Sequence, residues 1–246
     1  MKKSLFTLAA LSAFAAGAYA QSSVTLFGVV DAAVRQVKNG SAGSQKQLAS
    51  GSNATSRWGL RGVEDLGGGL RAGFHLESGI SLDSGSSDAK FWGRRSTVSV
   101  MGNFGEVRMG RDYTPTAYNT FADELGIVGV GSRGIFSYGA GSNLGSPATT
   151  VLRADNSVGY FLPSMGGLYG HLQMAAGEGV NGNKYVGGRL GYEAGPINVG
   201  FAYGKTETGA TTPDFKNYNI QFNYKLGFAT LHTLYDVKEW NPRKTK

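Results

Sequence analysis

Cysteine is absent from the sequence, which excludes disulfide stapling, thiolate metal sites and cysteine catalysis together. Proline is scarce, 6 residues against 39 glycines, so the chain is neither collagen-like nor a proline-rich disordered polymer. Beyond residue 20 no apolar run could cross a bilayer as a helix, which takes about 20 residues, and no segment shows the apolar stripe of a packed helix. Histidine is limited to His75, His171 and His232, which share no metal-ligand spacing, and no metal or other cofactor is expected. Gly204-Lys205-Thr206 imitates the end of a phosphate loop, but Val199 stands where the motif needs its first glycine. Without Lys2 and Lys3 the chain carries 22 basic and 17 acidic side chains, too mild an excess to call for nucleic acid.

What the sequence does contain begins with a leader. Two lysines follow Met1, an apolar run occupies residues 5–16, and Ala18-Tyr19-Ala20 has the small-x-small form of a cleavage site, so residues 1–20 read as a secretory signal removed before Gln21. The remainder, residues 21–246, reads as one β domain. Segment after segment alternates apolar and polar residues with period two, as strands with one greasy and one wet face do. Val24, Leu26, Val30 and Val34 oppose Thr25, Asp31 and Arg35 in a first strand. Trp58 and Leu60 oppose Arg57 and Arg61, and Leu70, Ala72, Phe74 and Leu76 oppose Arg71, His75 and Glu77. Strands are expected near 94–101 and 106–111. Arg153, Asp155, Ser157 and Gly159 form the polar face of a strand at 153–161. Four more follow at 168–174, 186–193, 197–203 and 218–226, and an eleventh reaches about Tyr235.

The connections sort into two kinds. Short turns at 65–69, 102–105, 162–167, 194–196 and near 227 alternate with longer polar loops at 38–53, 80–91, 112–150, 177–183 and 205–214. Strands of roughly 9 to 11 residues, joined alternately by turns and loops, suit an antiparallel up-and-down barrel crossing a membrane. Such a barrel escapes hydropathy, since half of each strand faces water, and the mean hydropathy of −0.19 is no objection. Tyr192, Tyr203, Tyr218 and Tyr224 near strand ends fit an aromatic girdle. A secreted soluble sandwich is the competing reading; it would need a second layer to cover some ten apolar faces. The stretch 112–150 breaks the pattern, being rich in Gly, Ser, Thr and Asn, and so long an irregular segment within a meander suggests function. It is expected to fold into the mouth of the barrel.

Four motifs carry a resemblance: QSSVTLFGVVD at 21–31, SRWGLRGVEDLGGGL at 56–70, RRSTVSVMGNFGEVRMGR at 94–111 and RADNSVGY at 153–160. They resemble the general porins of betaproteobacterial outer membranes, from the leader to about residue 236. The resemblance implies a 16-stranded outer-membrane barrel, homotrimeric in its full-length form, embedded in lipid, with its third loop folded inward as a constriction. It also implies passive diffusion of small hydrophilic solutes and ions through a water-filled channel, with anions preferred. By motif, Arg57, Arg94 and Arg153 would form the constriction's basic cluster with Glu77 nearby, while Asp123 and Glu124 in the loop are candidates for opposing acids. Alternation puts Arg94 on the side of Val98 and Val100, whereas the resemblance puts it in the lumen. No acid, base and nucleophile set assembles on the strand faces, so an enzyme is not expected.

The end of the chain departs from that family. Eleven strands is an odd number, and residues 239–246 are polar and read as unpaired, where the family ends on a strand with a terminal aromatic residue. The expectation is a C-terminally truncated barrel, since open edges leave backbone groups unsatisfied in lipid. A fragment without channel activity and an adhesin-like or structural barrel therefore stay open as alternatives.

Overall fold

Alternation in sequence becomes two chemically different sheet faces only if the strands pair in register. The computed structural model describes residues 23–121, 142–240 and 243–245; the expected leader, together with Asp123 and Glu124, lies outside them. The described strands are β1 (Ser23–Val29), β2 (Ala32–Lys38), β3 (Ser44–Ser50), β4 (Arg57–Gly67), β5 (Leu70–Gly79), β6 (Arg95–Gly102), β7 (Gly105–Tyr113), β8 (Arg153–Phe161), β9 (Leu168–Ala175), β10 (Tyr185–Ala194), β11 (Ile197–Thr206), β12 (Phe215–Lys225), β13 (Thr230–Trp240) and β14 (Arg243–Thr245), with helix α1 (Pro115–Phe121) between β7 and β8. Strands β1 and β4 to β14 form one twelve-stranded antiparallel meander, each paired with the next, and β2–β3 is a separate hairpin. Among the described residues β1 and β14 stand at its two ends.

Register explains the faces. Leu190, Phe201, Ile220 and Tyr235 pair across β10 to β13 into one row, and each is about half exposed, at 48–54%. One residue along, His171, Arg189, Ala202, Asn219 and Asp236 form the next row, on the opposite face. There Asn219 and Gln221 are fully buried, with His171 and Gln173 close to it, while their chain neighbours Leu172 and Met174 are 65% and 63% exposed. A water-soluble sandwich has the reverse arrangement, apolar inside and polar outside. Apolar exposure of this extent calls for lipid, and the soluble reading fails on it.

The short connections are as tight as the glycines permit. Gly67, Gly68 and Gly69 all have positive φ, 82°, 62° and 81°, which side chains with a Cβ rarely adopt, and they reverse β4 into β5. At the other end of the sheet the connections are long. One of them holds β2–β3, whose root is tied by the Asp31 carboxylate accepting the amide N–H groups of Ser52, Asn53 and Ala54 at 2.7–3.0 Å. Those bonds, Ala54's foremost, hold the Asp31 carboxyl below the usual range.

Several expectations need correction. The first strand breaks at Val30 and Asp31, and the loop expected at 38–53 contains β3, a mostly polar and exposed strand in which Ala49 is buried and Leu48 exposed, so that no apolar face marks it in the sequence. The expected absence of helix is overturned by α1. The eleventh wall strand, β13, runs on to Trp240 because that indole packs on Leu144, Ala148, Val151 and Phe215. Residues 243–245, read as unpaired, pair back onto β13. The polar face assigned to β8 is also interrupted: Asn156 has φ 53°, and Ala154 and Ser157, three apart, are both buried. The partner strand shifts register between Gly110 and Asp112, so a bulge moves Arg153 and Asp155 out of phase with Ser157 and Gly159.

Candidate functional site

The inward helix begins with its local chemistry. Pro115 occupies the first helical position, where a missing N–H costs nothing, and the Thr114 hydroxyl accepts the Ala117 N–H at 3.4 Å. α1 then lies across the polar row of β9 to β12. Asn119 Nδ2 donates to Gly200 O and to Asn219 Oδ1, both at 3.0 Å, and Arg189 Nε donates to Asn119 Oδ1 at 3.0 Å. Asn219 Nδ2 contacts Thr116 O at 3.0 Å, Thr120 Oγ1 at 3.1 Å and Asp236 Oδ1 at 3.0 Å. Ala202, with no exposed surface, is small enough to let the helix sit against the wall. The loop's return packs through Leu144, Ala148 and Val151 on Phe215, and Thr150 and Thr206 share a hydroxyl hydrogen bond. The expectation that 112–150 folds inward therefore holds for its described parts.

Around the wall from the helix, β4, β5, β8 and the bend before β6 gather the basic cluster. Glu77 Oε1 accepts Arg94 Nε at 2.5 Å and faces Arg57 Nε at 3.6 Å, while its Oε2 meets His75 Nε2 at 3.2 Å. Arg94 lies in a bend just before β6, where strand parity does not apply, and it turns toward Glu77 and away from the side of Val98. Arg153 Nε donates to Arg94 O at 2.8 Å, Nη2 donates to Tyr113 Oη at 2.5 Å, and the guanidinium lies 4.2 Å from the Tyr113 ring centre. Tyr113 in turn meets Phe121 of α1 edge-on at 4.8 Å. Arg57, Arg94, Arg153 and Glu77 thus share one constellation that abuts the helix. Asp123 and Glu124, the expected opposing acids, lie outside the described residues.

Three participants escape a sequence reading. Arg111 donates to Gly93 O at 2.7 Å and to Asp155 Oδ1 at 2.6 Å, and Lys90 also pairs with Asp155. Strict alternation sets Arg111 beside Met109 on the apolar side, and its pairing with Ser96 keeps that register; the extra residue opposite it on β8 is what brings Asp155 within its reach. Counting them, four cations meet two carboxylates and a fifth, Arg153, is held on the Arg94 carbonyl beside them. Arginine keeps its charge throughout the working pH range, so the excess is permanent. A second group is balanced: Arg108 binds Glu106 at 2.8 Å and Asp112 at 2.7 Å, and Arg95 stands 3.7 Å from Asp112.

A barrel wall with an inward helix and a basic cluster beside it can be compared with known proteins. Residues 7–243 match the family described as Gram-negative porin. The chain belongs to that family. The porin is 41% identical over 245 residues to outer membrane porin protein 32 of Delftia acidovorans, a match covering 95% of this chain and 69% of that protein. With an outer membrane porin protein of Bordetella pertussis it shares 32% identity over 239 residues, 82% of this chain and 59% of the relative. Among solved structures it superposes on an anion-selective porin from Comamonas acidovorans with a TM-score of 0.73 and 34% identity, covering 89% of this chain and 71% of that one. The porin is accordingly an all-β outer-membrane protein of a channel family, spanning between about three-fifths and seven-tenths of these relatives' length.

Proposed function

We propose that this porin contributes the wall and constriction of a water-filled passage for small hydrophilic solutes and ions, with anions preferred. The observation that carries the preference is the excess of cations there: Arg57 and Arg94 share the carboxylate of Glu77, and Arg153 stands against Arg94 with no carboxylate of its own among the described residues. A fixed positive ring in a narrow, low-dielectric mouth attracts anions and raises the barrier to cations. No bond is made or broken; the constellation supplies field and size, not catalysis. A water-filled passage also needs pairing partners for the end strands β1 and β14, because unpaired backbone is costly in lipid. Homotrimeric assembly in the outer membrane belongs to the same proposal and is read from the migration of unheated protein in detergent gels.

The test is conductance in planar bilayers under a chloride gradient. Stepwise currents with a reversal potential on the anion side are expected, and Arg57→Ser with Arg153→Ser should move that potential toward zero. Reversal on the cation side, or no change in the double variant, overturns the assignment. An adhesin-like barrel would show no such steps.

A further inference from the structure

On the short-turn side of the basic cluster the inner faces of β1 and β4 to β7 enclose a recess of about 260 Å³ lined by Thr25, Arg61, His75, Arg95, Thr97 and Ser99 among others. Register builds it. Thr25, Arg61, His75 and Thr97 pair across β1, β4, β5 and β6 into one row. The next row toward the turns brings Gly73 opposite Ser99, and a Cβ at Gly73 would stand 3.2 Å from Ser99 Oγ and 2.9 Å from Met101 Cε, so the missing side chain is what leaves the hollow open.

The charges there are unequal in their commitments. Arg108 is spent on Glu106 and Asp112. Arg95 reaches Asp112 only at 3.7 Å and gives its Nε to Thr97 Oγ1 at 3.2 Å. Arg61 has no carboxylate partner among the described residues; it is exposed and lies 5.3 Å from the Phe27 ring centre. Both acids nearby are thus bound by Arg108, and the hollow is lined by one guanidinium without a carboxylate partner, one loosely held guanidinium, three hydroxyls, the His75 ring and the mutually neutralised Glu106–Arg108 pair.

We infer that this recess is a second anion station, in series with the constriction, taking a small oxyanion such as phosphate or a short carboxylate between Arg61 and Arg95. Thr25, Thr97 and Ser99 supply neutral donors to the same oxyanion, and guanidinium forks suit its geometry. Two stations in series let an anion leave the first by moving to the second, the condition for conduction without trapping. The inference rests on the anion-preferring reading of the basic cluster, and its test separates the two.

Inorganic phosphate is titrated by equilibrium dialysis against the full chain, folded in detergent micelles and checked for strand content by circular dichroism. Two classes of site are expected. Arg61→Gln should weaken one class at least tenfold and leave the other, whereas Arg57→Gln with Arg153→Gln should do the reverse. Arg61→Lys should retain most of the recess class, and Thr25→Val should weaken it about threefold. Arg61 is exposed, so its replacement leaves the wall intact. An Arg61→Gln isotherm that superimposes on the wild type overturns the station. Loss on Arg61→Gln combined with no effect of the Arg57 and Arg153 pair upholds the station and overturns the constriction.

Discussion

Removing the Asn219 side chain should unlatch α1. Asn219 is fully buried and makes three hydrogen bonds to the helix segment: it donates to Thr116 O and Thr120 Oγ1, and accepts from Asn119 Nδ2. At about 1 kcal/mol net for each buried hydrogen bond, Asn219→Ala weakens the seat by about 3 kcal/mol. Since 1.4 kcal/mol is a factor of ten, the detached population rises roughly 100-fold. The lack of cysteine supplies the assay. Ala117, 2% exposed beneath the helix, is replaced by Cys, and the rate of maleimide labelling reports how often α1 lifts. Asn219→Ala should speed labelling about 100-fold, while Asn198→Ala, which acts on Tyr169 and Gln221 and makes no hydrogen bond to α1, should change it less than threefold. Equal rates in wild type and Asn219→Ala would show that the amide seat does not hold the helix.

Two further outcomes follow from the wall. Leu190→Arg puts a charge at the middle of the apolar row of β10 and should cost about 2–4 kcal/mol, read from urea unfolding in lipid vesicles; a cost below 0.5 kcal/mol would mean that this face does not meet lipid. Gly110→Ala places a Cβ 2.1 Å from Ser96 O at a backbone φ of 121°. It should destabilise the β6–β7–β8 unit by about 1–3 kcal/mol, seen as a lowered unfolding midpoint; an unchanged midpoint would mean that the close approach of β7 to β6 at Gly110 does not require glycine.

The wall was legible because lipid outside and water inside enforce alternation, as in Tyr218, Ile220, Phe222 and Tyr224 against Asn219, Gln221 and Asn223. α1 was not, and for the converse reason. It packs polar on polar through Thr116, Asn119 and Thr120, so it carries no apolar stripe, although Thr114 followed by Pro115 is a capping signature that could have disclosed its start. The cluster at Arg57 and Glu77 follows from parity alone. Arg94 and Arg111 do not: one sits in a bend, the other opposite a bulge in β8, and both departures are backbone events that a period-two pattern cannot register.

The seat beneath α1 is wet chemistry on both sides, amide and guanidinium against hydroxyl and carbonyl. Lifting the helix would therefore bare little oil to water, chiefly Ala117, Ala202 and the rings of Phe121 and Tyr118. On the proposed function the bore would be set by a part seated through a few amides, so that trading those amides would retune its width while the staves of the wall stay as they are.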